Sequence, residues 1–358
     1  RVTVVTVPPR PPARAPSFLR RNRTLVLFAL LLVGTDVAAG RFAGVWERHS
    51  PDDYAVRVAA CAREPRDLVV VGGSPVAEAI DPGRLAGAVR AGRPLASVYA
   101  VGLSGATTSD VYHAVLRACP TPPRVLVYGV TASDLNDGRH EPHGPHSLMT
   151  WGDWADWVRL RPDSAEWVTR HFVAARAGGV SNLFRYRHGV RMWAACEAEG
   201  VFPGSSPETF READELRERA DALRTGNGYA PARGFAVGRY DAVKAAGLPP
   251  QGFPYLANYR TGSHLKYLDK LVDWCAAAGT ELVLLDMPVT ADLEARFPAA
   301  FAEYRGRLAD LERGRGVTVL RPSRAAAGLT DADFADLIHM NRAGAARFSD
   351  RVRADLAH

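Results

Sequence analysis

An aspartate and a histidine three residues apart, Asp336 and His339, stand in the segment DFADLIHMN at 333–341. At that spacing the carboxylate can accept the imidazole Nδ1–H within one turn of loop, leaving Nε2 free to take a proton from a hydroxyl. A candidate hydroxyl is Ser74, which follows an apolar run and two glycines in VVGGSPV at 70–76. Glycines permit a sharp turn there, so the next residue can present its side chain and its N–H at the head of a following helix. A third segment, GLSGATT at 102–108, offers backbone N–H groups able to face a developing oxyanion. A histidine base held by a carboxylate, a serine hydroxyl and donors for negative charge are the parts that acyl transfer through a serine requires.

These segments need a frame that delivers them to one place. Apolar runs at 67–73, 94–100, 124–130, 281–287 and 317–320 predict five buried strands. Helical patterns lie between them, at 108–119 and at 263–278, where Leu265, Leu268, Leu271, Val272 and Cys275 share one face. Alternating strand and helix predicts an α/β fold of three layers, a doubly wound five-stranded parallel sheet with helices on both faces. In such sheets reactive residues sit outside the carboxyl ends of the strands, where all three segments fall. Asn341 is placed to cap a helix over 342–356. The interval 138–262 breaks the rhythm and reads as a mostly helical insertion after strand three, with one charged helix around 207–224.

The chain resembles the SGNH (GDSL-like) hydrolase superfamily, particularly its membrane-anchored branch, which includes alginate O-acetylation proteins and relatives of the D-alanyl transfer protein of teichoic acids. The resemblance is carried by Gly72-Gly73-Ser74 after a strand with Ile80-Asp81-Pro82 downstream, by Gly102-x-x-Gly105-x-Thr107, and by Asp336-x-x-His339-x-Asn341-x-x-Gly344. It covers 67–135 and 263–356, not the insertion. It implies a flavodoxin-like SGNH fold, Ser74 as nucleophile with Asp336 and His339 completing the triad, and oxyanion donors at the Ser74 N–H and Gly105. Asp333 competes with Asp336 for the imidazole, but the three-residue spacing and the family pattern favour Asp336. The family's third block usually reads Gly-x-Asn-Asp, whereas strand three here runs into Gly129-Val130-Thr131-Ala132-Ser133-Asp134-Leu135-Asn136-Asp137. The third donor is therefore open among Asn136, Ser133 and Thr131. The implied activity is that of a serine esterase or O-acyltransferase acting outside the cytoplasm on acyl, chiefly acetyl, groups of cell-envelope or exported polysaccharide, without a cofactor. The alternative is a non-catalytic glycan-binding protein or an accessory subunit of an envelope acyltransferase complex, which the altered third block favours.

Residues 1–23 form a basic, Pro- and Arg-rich tail that cannot bury a core. Thr24 to Trp46 supply the length of a single membrane span if Asp36 and Arg41 sit near the outer interface. The preceding arginines place the tail in the cytoplasm and the domain at 52–358 outside. A secreted form cleaved near Ala39 is the alternative, because Val37-Ala38-Ala39 has small residues suited to signal peptidase. The net charge of +6 comes from arginines scattered among acids, with no stripe or motif for nucleic acid. Expected partners are an acylated polysaccharide or other ester, the membrane, and a membrane acyltransferase touching the anchor helix and Asp36. Cys61, Cys119, Cys196 and Cys275 form no CxxC pair and read as small buried hydrophobes, with disulfides open in an exported domain. His140, His143 and His146 recur every three residues, but Pro142 and Pro145 forbid a regular helix, so a solvated loop is expected rather than a metal site. Trp151, Trp154 and Trp157 fall on one side of a helix, where they pack on the domain or offer a sugar-stacking or membrane-facing surface.

Overall fold

The computed structural model describes residues 22–49, 53–138, 149–201, 253–357 and parts of 215–230. Five strands make the central sheet: β1 (Leu68–Gly72), β2 (Val98–Gly102), β3 (Val125–Val130), β4 (Glu281–Asp286) and β5 (Thr318–Leu320). All pair in parallel, in the order β2-β1-β3-β4-β5. The strands read as unbroken apolar runs because both of their faces are covered. Alternate side chains enter two separate cores: Val69, Val71, Leu126, Tyr128 and Leu284 go to one, and Leu68, Val70, Val125, Val127 and Val283 to the other. The first core is closed by helices Asp53–Cys61, Thr108–Ala118, Ser263–Ala278 and Pro298–Arg315, the second by Ser74–Ala79, Pro82–Leu85 and Arg342–Leu356. Because β1 lies between β2 and β3, the winding reverses beside it, and this opens a crevice at the carboxyl ends of those strands.

The second strand starts at Val98, later than the apolar run from 94 suggests. Pro94 belongs instead to a two-residue hairpin, Val89–Arg90 with Arg93–Pro94. A proline has no N–H to give to a sheet ladder, so the run divides there.

Glycines set how closely the first helix approaches the sheet. Gly72 and Gly129 are register partners at the ends of β1 and β3. A Cβ on either would lie 2.4 or 2.3 Å from Val76 Cγ2, and one on Gly102 would lie 2.4 Å from Ala77 Cα. Their missing side chains let the Ser74–Ala79 helix press directly onto three strand ends.

The insertion contributes helices Trp151–Leu160, Ala165–Val180, Asn182–Arg185 and Arg187–Val201. A small core of Met149, Trp157, Val168 and Phe172 seats it on Tyr267 of the Ser263–Ala278 helix. Trp157 is buried and donates to Ser164 Oγ (3.0 Å), and Trp154 donates to Thr169 Oγ1 (3.0 Å), while Trp151 is exposed. Further on, the insertion covers the free edge of β2: Ala100 N–H donates to Asn227 O (2.9 Å), Tyr99 Oη to Leu223 O (3.2 Å), and buried Arg57 to Gly228 O (2.5 Å). His140, His143 and His146, and most of the charged stretch at 207–224, lie outside the described residues. Cys61, Cys119 and Cys275 are buried and free.

Among the described residues one helix, Arg23–Arg41, is long and apolar enough to cross a membrane. Its Leu25, Leu27, Phe28, Leu30 and Leu31 project away from the protein. Its later half is docked on the insertion. Asp36 Oδ1 accepts from Ser181 Oγ (2.6 Å) and Leu183 N–H (2.9 Å), Ala39 is buried, and Trp46 packs edge-on against Trp193 at 5.3 Å between ring centroids.

Candidate active site

Ser74 is the first residue of its helix, and the cap before it is Gly73, in extended backbone with no side chain to offer. The first N–H groups of a helix have no partner within it. Here Pro75 has none, and Val76 N–H turns back to Gly73 O (3.1 Å), which leaves the Ser74 N–H as the outward donor of that turn. The hydroxyl is half-buried at the crevice.

The histidine comes from a loop tied shut at its neck. Phe334 and Met340 form an antiparallel bridge, Asn341 N–H donates to Asp333 O (2.9 Å), and Ala335 N–H donates to His339 O (2.8 Å). Asn341 caps the last helix as its position predicts, accepting from Ala343 and Gly344 N–H at 3.0 and 3.1 Å, and its Nδ2 also donates to Ala332 O (2.7 Å). Asp333 accepts from Thr330 N–H (2.8 Å) and pairs with Arg347, so it is occupied with the neck of the loop and not with the imidazole. A residue that no sequence signal singled out, Thr290, is fully buried and gives both its N–H (3.1 Å) and its hydroxyl (3.2 Å) to Leu337 O, between Asp336 and His339.

Within this frame Asp336 Oδ2 meets His339 Nδ1 at 2.7 Å, and His339 Nε2 meets Ser74 Oγ at 2.8 Å. Asp336 Oδ1 accepts from the N–H groups of Ile338 (2.9 Å) and His339 (2.8 Å). Burial pushes the Asp336 carboxyl up, but the His339 hydrogen bond and charge, with the two N–H donors, outweigh it and hold the group below the usual carboxylate range. An ionised Asp336 requires Nδ1 to carry the proton, so Nε2 is the acceptor facing the serine hydroxyl. The side chains of His339 and Asp336 are 15% and 31% exposed, so the relay opens to solvent rather than lying in the core.

The loops after β2 and β3 both reach the Gly73–Ser74 corner. A Cβ on Gly73 would lie 3.5 Å from Ala106 O and 3.6 Å from Asp134 Oδ1. Gly105 sits half-buried at the turn of the first loop with φ +72°, a left-handed conformation that favours glycine. Asp134 ties the loops together: its carboxylate accepts from Thr131 N–H (2.8 Å), and its carbonyl accepts from Thr108 N–H (3.2 Å) and Oγ1 (2.9 Å). The Asn136-Asp137 pair braces the returning chain. Buried Asn136 accepts from Gly138 and Arg260 N–H at 2.8 and 3.1 Å and donates to Tyr255 O (2.8 Å), while Asp137 accepts from Ser263 N–H (2.7 Å). Those bonds fill the Asn136 oxygen and use one amide hydrogen, which explains the late position of the pair by scaffolding. Among the described residues no group of three His, Cys, Asp or Glu side chains is arranged to hold a metal ion.

Compared with known proteins, the chain matches no protein-family model, and no curated protein is significantly similar to it.

Proposed function

We propose that this chain is a membrane-anchored serine esterase or O-acyltransferase of SGNH type, acting outside the cytoplasm. The observation that carries the reading is the unbroken relay from Asp336 through His339 to Ser74 at the carboxyl edge of a parallel sheet. The strand order β2-β1-β3-β4-β5 supports a flavodoxin-like arrangement, in which ligands bind at that reversal.

In the reaction, Ser74 Oγ attacks an ester carbonyl as its proton passes to His339 Nε2. Negative charge on the carbonyl oxygen is met by the Ser74 N–H and by the Gly105 loop, with Asn136 as a further candidate donor. The intermediate collapses, the leaving alcohol takes the proton from Nε2, and the acyl group stays on Ser74. A water or an acceptor hydroxyl then gives its proton to Nε2 and attacks the acyl-enzyme, and collapse of this second intermediate breaks the acyl–Oγ bond as Ser74 takes the proton back from Nε2. Asp336 remains ionised throughout and holds the imidazole in one tautomer. The resemblance points to acetyl groups on cell-envelope or exported polysaccharide as substrate, and to a membrane acyltransferase as partner.

Retention of the anchor fits better than cleavage near Ala39. The residues a signal peptidase would sever lie in a helix whose Asp36 is bonded to Ser181 and Leu183 and whose Ala39 is buried. The basic tail then stays in the cytoplasm and the sheet domain lies outside. A fluorophosphonate probe should label the wild-type protein and leave Ser74→Ala unlabelled and inactive on an aryl acetate. Equal labelling and turnover in the two proteins would remove the catalytic reading and leave the glycan-binding alternative in front.

A further inference from the structure

The insertion carries a charge pattern that the catalytic reading does not use. From Trp167 to Trp193 there are five arginines, Arg170, Arg176, Arg185, Arg187 and Arg191, and no Asp or Glu. The same stretch holds exposed apolar groups. Val173 and Val180 stand two turns apart on one face of the Ala165–Val180 helix, Val180 is 89% exposed, and Phe184 follows on the next helix. Arg170, Arg185, Arg187 and Arg191 are exposed as well, with Arg187 lying over the Phe184 ring at 4.2 Å and Arg185 over Tyr186 at 5.3 Å. Basic residues interleaved with apolar and aromatic ones on a helical surface are the composition of an interfacial segment, one that lies among lipid headgroups.

What covers this surface follows from where it is fastened. Asp36, within the apolar helix, is bonded to Ser181 and Leu183. The helix from Leu25 to Asp36 rises only about 17 Å at 1.5 Å per residue, whereas a hydrocarbon core is about 30 Å thick. If the helix spans the bilayer, the insertion at 180–185 is pinned at a depth the outer leaflet already occupies. Val180 and Phe184 then supply apolar surface at that depth, and the arginines reach outward to phosphates, as long basic side chains do near an interface. Trp46 and Trp193, packed edge-on, add to the same docked surface the indoles that membrane interfaces favour.

We infer that the segment from Val173 to Arg191 is a second membrane contact, dipping its apolar groups into the outer leaflet with its arginines at the headgroups and binding anionic lipid. The inference rests on the anchored reading above, and the test separates the two. The full chain, with Cys196→Ser and a single fluorophore on Val180→Cys, Leu30→Cys or Gly314→Cys, is reconstituted in vesicles carrying a lipid-borne quencher. The other three cysteines are buried. Leu30 reports the anchor, Val180 the insertion, and Gly314 an exposed helix site elsewhere. Quenching at Val180 should exceed that at Gly314 by at least about threefold, and should be greater with phosphatidylglycerol present than in phosphatidylcholine alone, as expected for a basic interfacial surface. Strong quenching at Leu30 with none above the Gly314 level at Val180 would overturn the second contact and leave the anchor standing. Absence of quenching at both would overturn the two readings together. Quenching at Val180 that ignores lipid charge would overturn the anionic-lipid part.

Discussion

Replacing Asp336 by asparagine and by alanine should separate its two jobs. In the native loop Oδ1 accepts two backbone N–H bonds and Oδ2 receives the imidazole Nδ1–H. Asparagine can keep both backbone bonds through its oxygen, but it turns an N–H toward Nδ1. The imidazole must then carry its proton on Nε2, which faces Ser74 Oγ as a donor and can no longer accept. The loop survives and the base is lost, so kcat should fall by about four orders of magnitude, the size known for the equivalent change in a serine protease. Alanine leaves two N–H groups without their acceptor. At roughly 1–1.5 kcal/mol each, since a group 31% exposed lets water replace part of what is lost, the variant should be about 2–3 kcal/mol less stable. For a domain of this size that is a melting-temperature drop of roughly 3–5 °C. Aryl acetate turnover and thermal denaturation of both variants make the comparison. An asparagine variant within about tenfold of the wild-type rate would refute the tautomer argument, and equal melting temperatures for the two variants would refute the role assigned to Oδ1.

Three further outcomes follow from the same geometry. Gly102→Ala puts a methyl 2.4–2.6 Å from the Ala77 backbone and Cβ. It should cost about 2–3 kcal/mol in urea unfolding and lower turnover too, because the displaced helix carries Ser74; an unchanged midpoint would contradict the packing. Asn136→Ala removes three hydrogen bonds in a buried setting and should destabilise by about 2–4 kcal/mol. A rate loss of about a hundredfold with unchanged stability would instead mark Asn136 as an oxyanion donor. Asp336 has a folded pKa below that of an unfolded carboxylate, so its charge stabilises the fold above the ordinary carboxylate range, and this is lost as pH falls below about 4. The stability gap between wild type and Asp336→Asn, followed by denaturation from neutral to acid pH, should narrow over that window, and a gap that widens on acidification would reverse the sign.

The parts of the molecule that sequence reasoning reached are those whose causes are local or periodic. The five strands are legible because burial on both faces makes each an uninterrupted apolar run, and Asp336 with His339 because three residues of loop fix their distance. The parts it missed depend on contacts across long separations. Thr290 looks like an ordinary helix cap, and its second bond, to Leu337, is 47 residues away. The Asn136 staple joins residues 119 and 124 apart. The Asp36–Ser181 link crosses 145 residues between a helix chosen by hydropathy and an insertion whose helical character is readable but whose docking is not. The misplaced start of β2 has a different origin: apolar character continues through Leu95, but Leu95 N–H goes to Ala88 O and the Ala96 and Ser97 N–H groups go to Asp67 Oδ2, so these residues serve the hairpin and a capping carboxylate rather than the sheet.

Ser74 and His339 are 265 residues apart in the chain, and the helix that completes the core beneath Ser74, with Phe348, Val352 and Leu356 packed toward Val76 and Ala79, begins only at Arg342. At synthesis rates of about 5–20 residues per second, the ribosome needs roughly 13 to 53 s after making the serine before it makes the base. During that interval the hydroxyl has no general base and no finished wall behind it. On the proposed function and topology, a chain threaded through a membrane as it is made would complete its relay only on the far side, so nascent chains would stay inert toward esters in the compartment where they are translated.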